Sequence, residues 1–204
     1  PTLATTLCAG RSCRFQMRVA WPGSIAELRG PLTRERLREF MAELALAAPG
    51  GQAARVYLVG GGTAVWAGWR PSTIDVDLHG DPEALFRDIQ AIKERLRINV
   101  EFVRPEDFVP PLAGSDARHV LIEAIGSVSY FHHDPYAQVF SKIVRGFQRD
   151  LEDADDFFRS GMVDADRFRE LVHGIPAEAY ARYPALSRDA VLSAVEEYLE
   201  ESRG

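Results

Sequence analysis

The chain has 204 residues, 46% of them hydrophobic and 26% charged, which is enough to bury a full core in one large domain, with or without a small helical extension. A net charge of −6 argues against a surface that attracts nucleic acid as a whole. Local basic patches could still do so, since salt confines charge effects to about 10 Å. Two cysteines, Cys8 and Cys13, are too few and too close to the start for a disulfide scaffold and read as free thiols.

No apolar run reaches the ~18 residues of a membrane span. The start lacks an apolar stretch of signal type. A cytoplasmic protein with no membrane partner is therefore expected. Residues 1–24 carry Arg11, Arg14 and Arg18, no acid and no clear period, and read as a loosely ordered extension.

Thr33 is a candidate N-cap, and Leu37, Phe40, Met41, Leu44 and Ala48 follow at helical spacing. Pro-Gly-Gly at 49–51 ends that helix. Arg55–Val59 (RVYLV) reads as a short buried strand running into Gly60-Gly61-Gly62, and Thr63–Trp69 as a short helix. Thr73–Leu78 (TIDVDL) reads as a second strand. Asp81-Pro82 has the form of a helix start, with Leu85, Phe86, Ile89, Ile92 and Leu96 as its buried stripe. Ile98–Val103 alternates and reads as a third strand, and Pro105–Gly114 as a loop.

Val120–Tyr130 suggests one or two strands broken at Gly126. Asp134-Pro135 repeats the helix start. Tyr136, Val139, Phe140, Ile143, Val144 and Phe147 then mark the clearest amphipathic helix in the chain. Leu151–Phe158, Ala165–Val172 and Ser187–Leu199 also read as helices. The expected architecture is α/β: a mixed sheet flanked by helices over 25–134, then a helical part over 135–204 that completes the site.

The chemistry concentrates in Tyr57-Leu58-Val59-Gly60-Gly61-Gly62-Thr63, then Arg70, then Asp75-Val76-Asp77. Strand alternation puts Asp75 and Asp77 on one face, roughly 7 Å apart. Two such carboxylates repel each other unless a cation sits between them. Mg²⁺ is typically held by one or two carboxylates plus substrate phosphates. A glycine-rich turn entering a helix supplies backbone N–H groups and a positive helix end for those phosphates.

The run LVGGGTAVWAGWRPSTIDVDL resembles the glycine-plus-Asp-x-Asp signature of the polymerase-β-like nucleotidyltransferase superfamily. It is similar in particular to the AbiE-type toxins of type IV toxin–antitoxin systems. Lys142, Arg145, Arg149-Asp150 and Asp153 in SKIVRGFQRDLEDADDF match a second block of that family. The likeness spans roughly residues 33 to 160.

The resemblance implies that Asp75 and Asp77 hold Mg²⁺ or Mn²⁺, with Glu101 as the candidate third carboxylate and a solvent-exposed strand glutamate as the plain alternative. It implies that Gly61, Gly62 and Thr63 cradle a nucleoside triphosphate, although the family often has serine after the glycine. It implies that Lys142, which by helical position alone reads as solvated, contacts the phosphates, while Asp150 and Asp153 orient it or act on a proton, with N-capping of the next helix as the plain alternative for Asp150. Arg70 is a further phosphate candidate, with a surface salt bridge as the plain alternative.

The expected activity is nucleotide transfer from the triphosphate to an RNA, such as the 3′ end of tRNA, or to a protein side chain. A cognate antitoxin is an expected partner. The alternative is an inactive nucleotide-binding or protein-interaction module of the same fold. His132-His133-Asp134 is not expected to bind metal, because adjacent strand residues face opposite ways; Asp134 serves better as a cap. Trp66 and Trp69 read as core aromatics before base-stacking ones.

Overall fold

The computed structural model describes residues 30–50 and 52–202. The extension expected over 1–24, with both cysteines, lies outside the described residues. The elements are α1 (Arg34–Leu46), β1 (Ala54–Val59), α2 (Gly60–Ala67), β2 (Asp75–Asp81), α3 (Ile89–Leu96), β3 (Asn99–Phe102), β4 (Val120–Ile125), β5 (Val128–His132), α4 (Pro135–Arg145), α5 (Gln148–Arg159), α6 (Ala165–His173) and α7 (Arg188–Glu201). The fold is α/β: a mixed five-stranded open sheet flanked by helices, with helices at its C-terminal end.

The strand order is β3-β2-β1-β5-β4. β1 pairs antiparallel with β2 and parallel with β5; β2 pairs parallel with β3, and β4 antiparallel with β5. Alternation assigns the two faces. Val56, Leu58, Val76, Leu78, Val100, Val128 and Tyr130 point into one core with α1 residues Leu37, Phe40, Met41 and Leu44. The side chains between them, Asp75, Asp77 and His79 on β2 and Glu101 on β3, must then face the other side. A second core forms among α4–α7 and includes Phe140, Phe157, Phe168 and Val195.

Local signals set most boundaries. The Thr33 hydroxyl accepts from Arg36 N–H, Asp134 from Tyr136 N–H and Ser187 from Ala190 N–H, so all three act as N-caps. Gly126 takes φ +58° in the turn between β4 and β5.

Two expectations need correction. Asp81-Pro82 does not begin a helix. Asp81 pairs with Arg55, so β2 continues through it. Leu85 and Phe86 are buried from a 3-10 turn over Glu83–Phe86, and α3 starts only at Ile89. The second concerns Phe147. The buried face of α4 stops at Ile143, because the helix ends at Arg145 and Gly146 reverses the chain at φ +66°. Phe147 is swung outward and is 64% exposed.

Candidate active site

The site lies where β1 breaks into α2. Gly60 turns the chain at φ +55°, a conformation that disfavours a β-carbon on steric grounds. A β-carbon there would also stand 2.9 Å from Asp77 Oδ2, so the glycine lets the carboxylate close on the backbone. Gly60 N–H donates to Gln138 Oε1 (2.9 Å), and Gln138 Nε2 donates to the His133 carbonyl (2.8 Å). This amide therefore ties α4 to the turn. The orphan donors of the first helical turn and the positive helix end open beside Asp77.

The helix starts earlier than the glycine motif suggested, and this moves the cradle. Gly60 and Gly61 line the cleft. Gly62 is buried against Leu58 and the Asp77 backbone. Thr63 is wholly buried: its hydroxyl donates to the Leu58 carbonyl (3.2 Å). That hydroxyl has one proton, so His132 Nδ1, 3.2 Å away, must be the donor to it. The Thr63 side chain is thus a packing group, and any contact of Gly62 and Thr63 with phosphate would be through their backbone N–H groups in the first turn of α2. The hydroxyl at the cleft belongs to Thr73, which lies so close to Gly61 that a β-carbon there would collide with its Oγ1. A backbone bridge to Leu32 anchors Thr73.

The cleft encloses about 310 Å³. One wall is Gly60, Gly61, Thr73 and Asp77; the other is Arg70, Lys142, Arg145 and Arg149, with Asp150 and Asp153 behind them. A larger hollow, about 690 Å³ beside Phe86, Phe102 and Arg104, contains none of the candidate site residues.

Lys142 is not the solvated lysine that its helical position suggests. Its side chain is only 5% exposed, and Nζ pairs with Asp150 Oδ1 (3.2 Å) and Asp153 Oδ2 (2.5 Å). Asp153 Oδ1 also meets Arg70 Nη2 (2.5 Å), and Asp150 Oδ2 meets Arg145 Nε (3.2 Å). The result is a chain of alternating charges, Arg70–Asp153–Lys142–Asp150–Arg145, which fixes three cations along one wall. Buried charges persist only when paired in this way. Asp150 positions Lys142 and Arg145, and Arg70 also donates to the Arg149 carbonyl (3.0 Å).

On the acidic side, β2 and β3 set Asp75 beside Asn99 and Asp77 beside Glu101. Burial, then the charges of Glu101 and Asp75, push the Asp77 carboxyl up to about 6, against the opposing pull of Lys142 and Arg145. Asp75 and Glu101 share the face of Asp77 but do not line the cleft. Asn99 Nδ2 donates to both, at 2.7 Å and 3.1 Å. Among the described residues, no three His, Cys, Asp or Glu side chains are grouped so as to hold an ion. Of the trio, Asp77 lines the cleft, and Asp75 and Glu101 stand beside it on the same face.

The remaining readings resolve plainly. Trp69 packs edge-on against Phe157 (4.8 Å) and Trp66 lies under Arg34 (5.1 Å), so neither is a base platform. His132 bonds to Thr63, while His133 Nδ1 lies 2.8 Å from His79 Nε2. Gly60, Thr73, Gln138 and Phe147 are the site residues that sequence reasoning missed. Only Gly60 carried a sequence signal, as the first glycine after the strand.

Comparison with family models, curated proteins and solved structures found no match to this chain. Among the described residues no helix is long and apolar enough to cross a membrane.

Proposed function

We propose that the chain is a metal-assisted nucleotidyltransferase of the polymerase-β-like kind. It would move a nucleotide from a nucleoside triphosphate to an RNA, such as the 3′ end of tRNA, or to a protein hydroxyl. One observation carries the reading: a helix N-terminus, a carboxylate resisting ionisation and an ordered cationic wall share a single cleft. The likeness to AbiE-type toxins extends the proposal to a toxin restrained by a cognate antitoxin.

The donor set fits Mg²⁺ or Mn²⁺ completed by phosphate oxygens. Asp77 is crowded by two like charges, and a dication would relieve that crowding. When bound, the ion neutralises phosphate charge and makes the acceptor hydroxyl easier to ionise. The first turn of α2 and the Thr73 hydroxyl receive phosphate oxygens. Arg70, Lys142 and Arg145, held in place by Asp150 and Asp153, offset the charge that develops on the leaving pyrophosphate. The acceptor oxygen bonds to the α-phosphorus as its bond to pyrophosphate breaks, and the acceptor proton passes to solvent.

The second reading, a nucleotide-binding module without chemistry, is favoured by the position of Glu101 outside the cleft. Incubation with Mg²⁺ or Mn²⁺, each labelled nucleoside triphosphate and total RNA separates the two. Label on RNA or protein, lost in Asp77→Ala, is the expected result. Nucleotide binding by a folded sample without any transfer would favour the module, and no binding at all would overturn both.

A further inference from the structure

Phe147 is the most exposed aromatic ring at the cleft, and nothing in the core explains it. It is the N-cap residue of α5, placed outward by the left-handed turn at Gly146. It lines the same cleft as Gly60, Gly61 and Asp77. Phe108, 41% exposed, stands on the loop that follows β3. The Arg145 guanidinium lies over both rings, 5.2 Å from the Phe108 centroid and 5.7 Å from that of Phe147. Its Nε also forms an ion pair with Asp150 Oδ2 (3.2 Å), which favours this placement of the cation.

Phe147 is an exposed ring on the lining of a phosphate-sized cleft, backed by a guanidinium, and a surface of this type is one on which nucleobases stack. We propose that Phe147, with Arg145 and Phe108 beside it, is the platform that holds the base of the nucleoside triphosphate. The proposal rests on the reading of the cleft given above and adds the part of the ligand that the charged walls cannot recognise. Charge fits the occupant: Arg70, Lys142, Arg145 and Arg149 draw the phosphates inward and leave the base at the rim, where Phe147 lies. Stacking of this type is worth roughly 1–3 kcal/mol per base, a factor of about 5 to 150 in affinity. Because every base has a π-face, the platform by itself accepts all four.

The test compares Mg²⁺–ATP, Mg²⁺–CTP and Mg²⁺–tripolyphosphate, which has no base, by calorimetry on the wild-type chain, Phe147→Ala and Phe147→Tyr. The expected result is that Phe147→Ala weakens ATP and CTP at least fivefold and leaves tripolyphosphate unchanged, while Phe147→Tyr retains wild-type affinity. Equal weakening of all three ligands would mean that the ring only shapes the turn, and would overturn the proposal. Unchanged ATP binding in Phe147→Ala would overturn it too. Wild-type protein that binds no tripolyphosphate would instead remove the phosphate cleft, and the platform with it. Phe147 is exposed, so its truncation leaves both cores intact; an unchanged melting temperature verifies this.

Discussion

Replacing Asp77 with asparagine should make the metal-free protein more stable while destroying the site. The carboxyl is raised from 3.8 to about 6 by burial and by Glu101 and Asp75. Between these values the unfolded chain ionises this group while the folded chain keeps its proton. Stability therefore falls as pH rises from 3.8 to 6 and stays lost above 6. About two pH units at 1.36 kcal/mol each put the cost of the charged form at about 3 kcal/mol. The asparagine amide has nearly the same shape as the carboxylate and no charge, so Asp77→Asn should recover about 1–3 kcal/mol at pH 7.5. In a chain of this size that raises the melting temperature by roughly 2–4 °C per kcal/mol.

The assay is thermal and urea unfolding of both proteins with chelator present, at pH 3.5, 5 and 7.5. The difference should be near zero at pH 3.5, where both carry a neutral side chain, and should grow through pH 5. Saturating Mg²⁺ with ATP should then stabilise only the wild type, by about 2.7 kcal/mol at a hundredfold excess over Kd. An Asp77→Asn protein less stable than wild type at pH 7.5 without divalent ion would refute the reasoning. So would a difference independent of pH.

Three further outcomes follow from the geometry. Thr73→Val keeps the bridge to Leu32 but removes the cleft hydroxyl; it should weaken tripolyphosphate binding about fivefold to tenfold by calorimetry, whereas Thr63→Val should leave it unchanged. Asp153→Ala leaves Lys142 with Asp150 alone and Arg70 without its carboxylate, and should cost about 3–5 kcal/mol in urea unfolding; the double change Asp153→Ala with Lys142→Met should cost clearly less than the two single changes added. Burial lowers His132 from 6.5 to about 4, so its stability contribution is complete above pH 6.5 and drains away at about 1.4 kcal/mol per pH unit as pH falls towards 4. His132→Asn, whose amide can still donate to Thr63, should flatten that slope in urea unfolding at pH 4.5, 5.5 and 6.5; parallel curves for the two proteins would rule out the histidine as the cause.

Much of the fold was legible because its signals are local. Alternation in TIDVDL placed Asp75 and Asp77 on one face whatever covered it, and β2 carries them there. Thr33, Asp134 and Ser187 each cap a helix using a side chain and an amide at most three residues away. Local rules failed where a distant segment decided the outcome. The extent of β2 through Asp81 depends on the length of β1, its partner in the ladder. That Gly60 and Gly61 line the cleft while the Thr63 side chain is buried depends on which side of α2 rests on Leu58, and helix phase is set by packing.

Lys142 shows the same division at the centre of the site. By sequence it lies opposite the apolar stripe of its helix, which reads as solvent. Whether that face is wet depends on α5, whose Asp150 and Asp153 close over it and supply the charges that make burial tolerable. The sequence by itself determined the inventory of chemistry and the face on which each β2 carboxylate stands, because backbone geometry alone dictates both. Only the tertiary structure decided which groups meet, since burial, charge pairing and the outward turn of Phe147 arise from segments far apart in the chain.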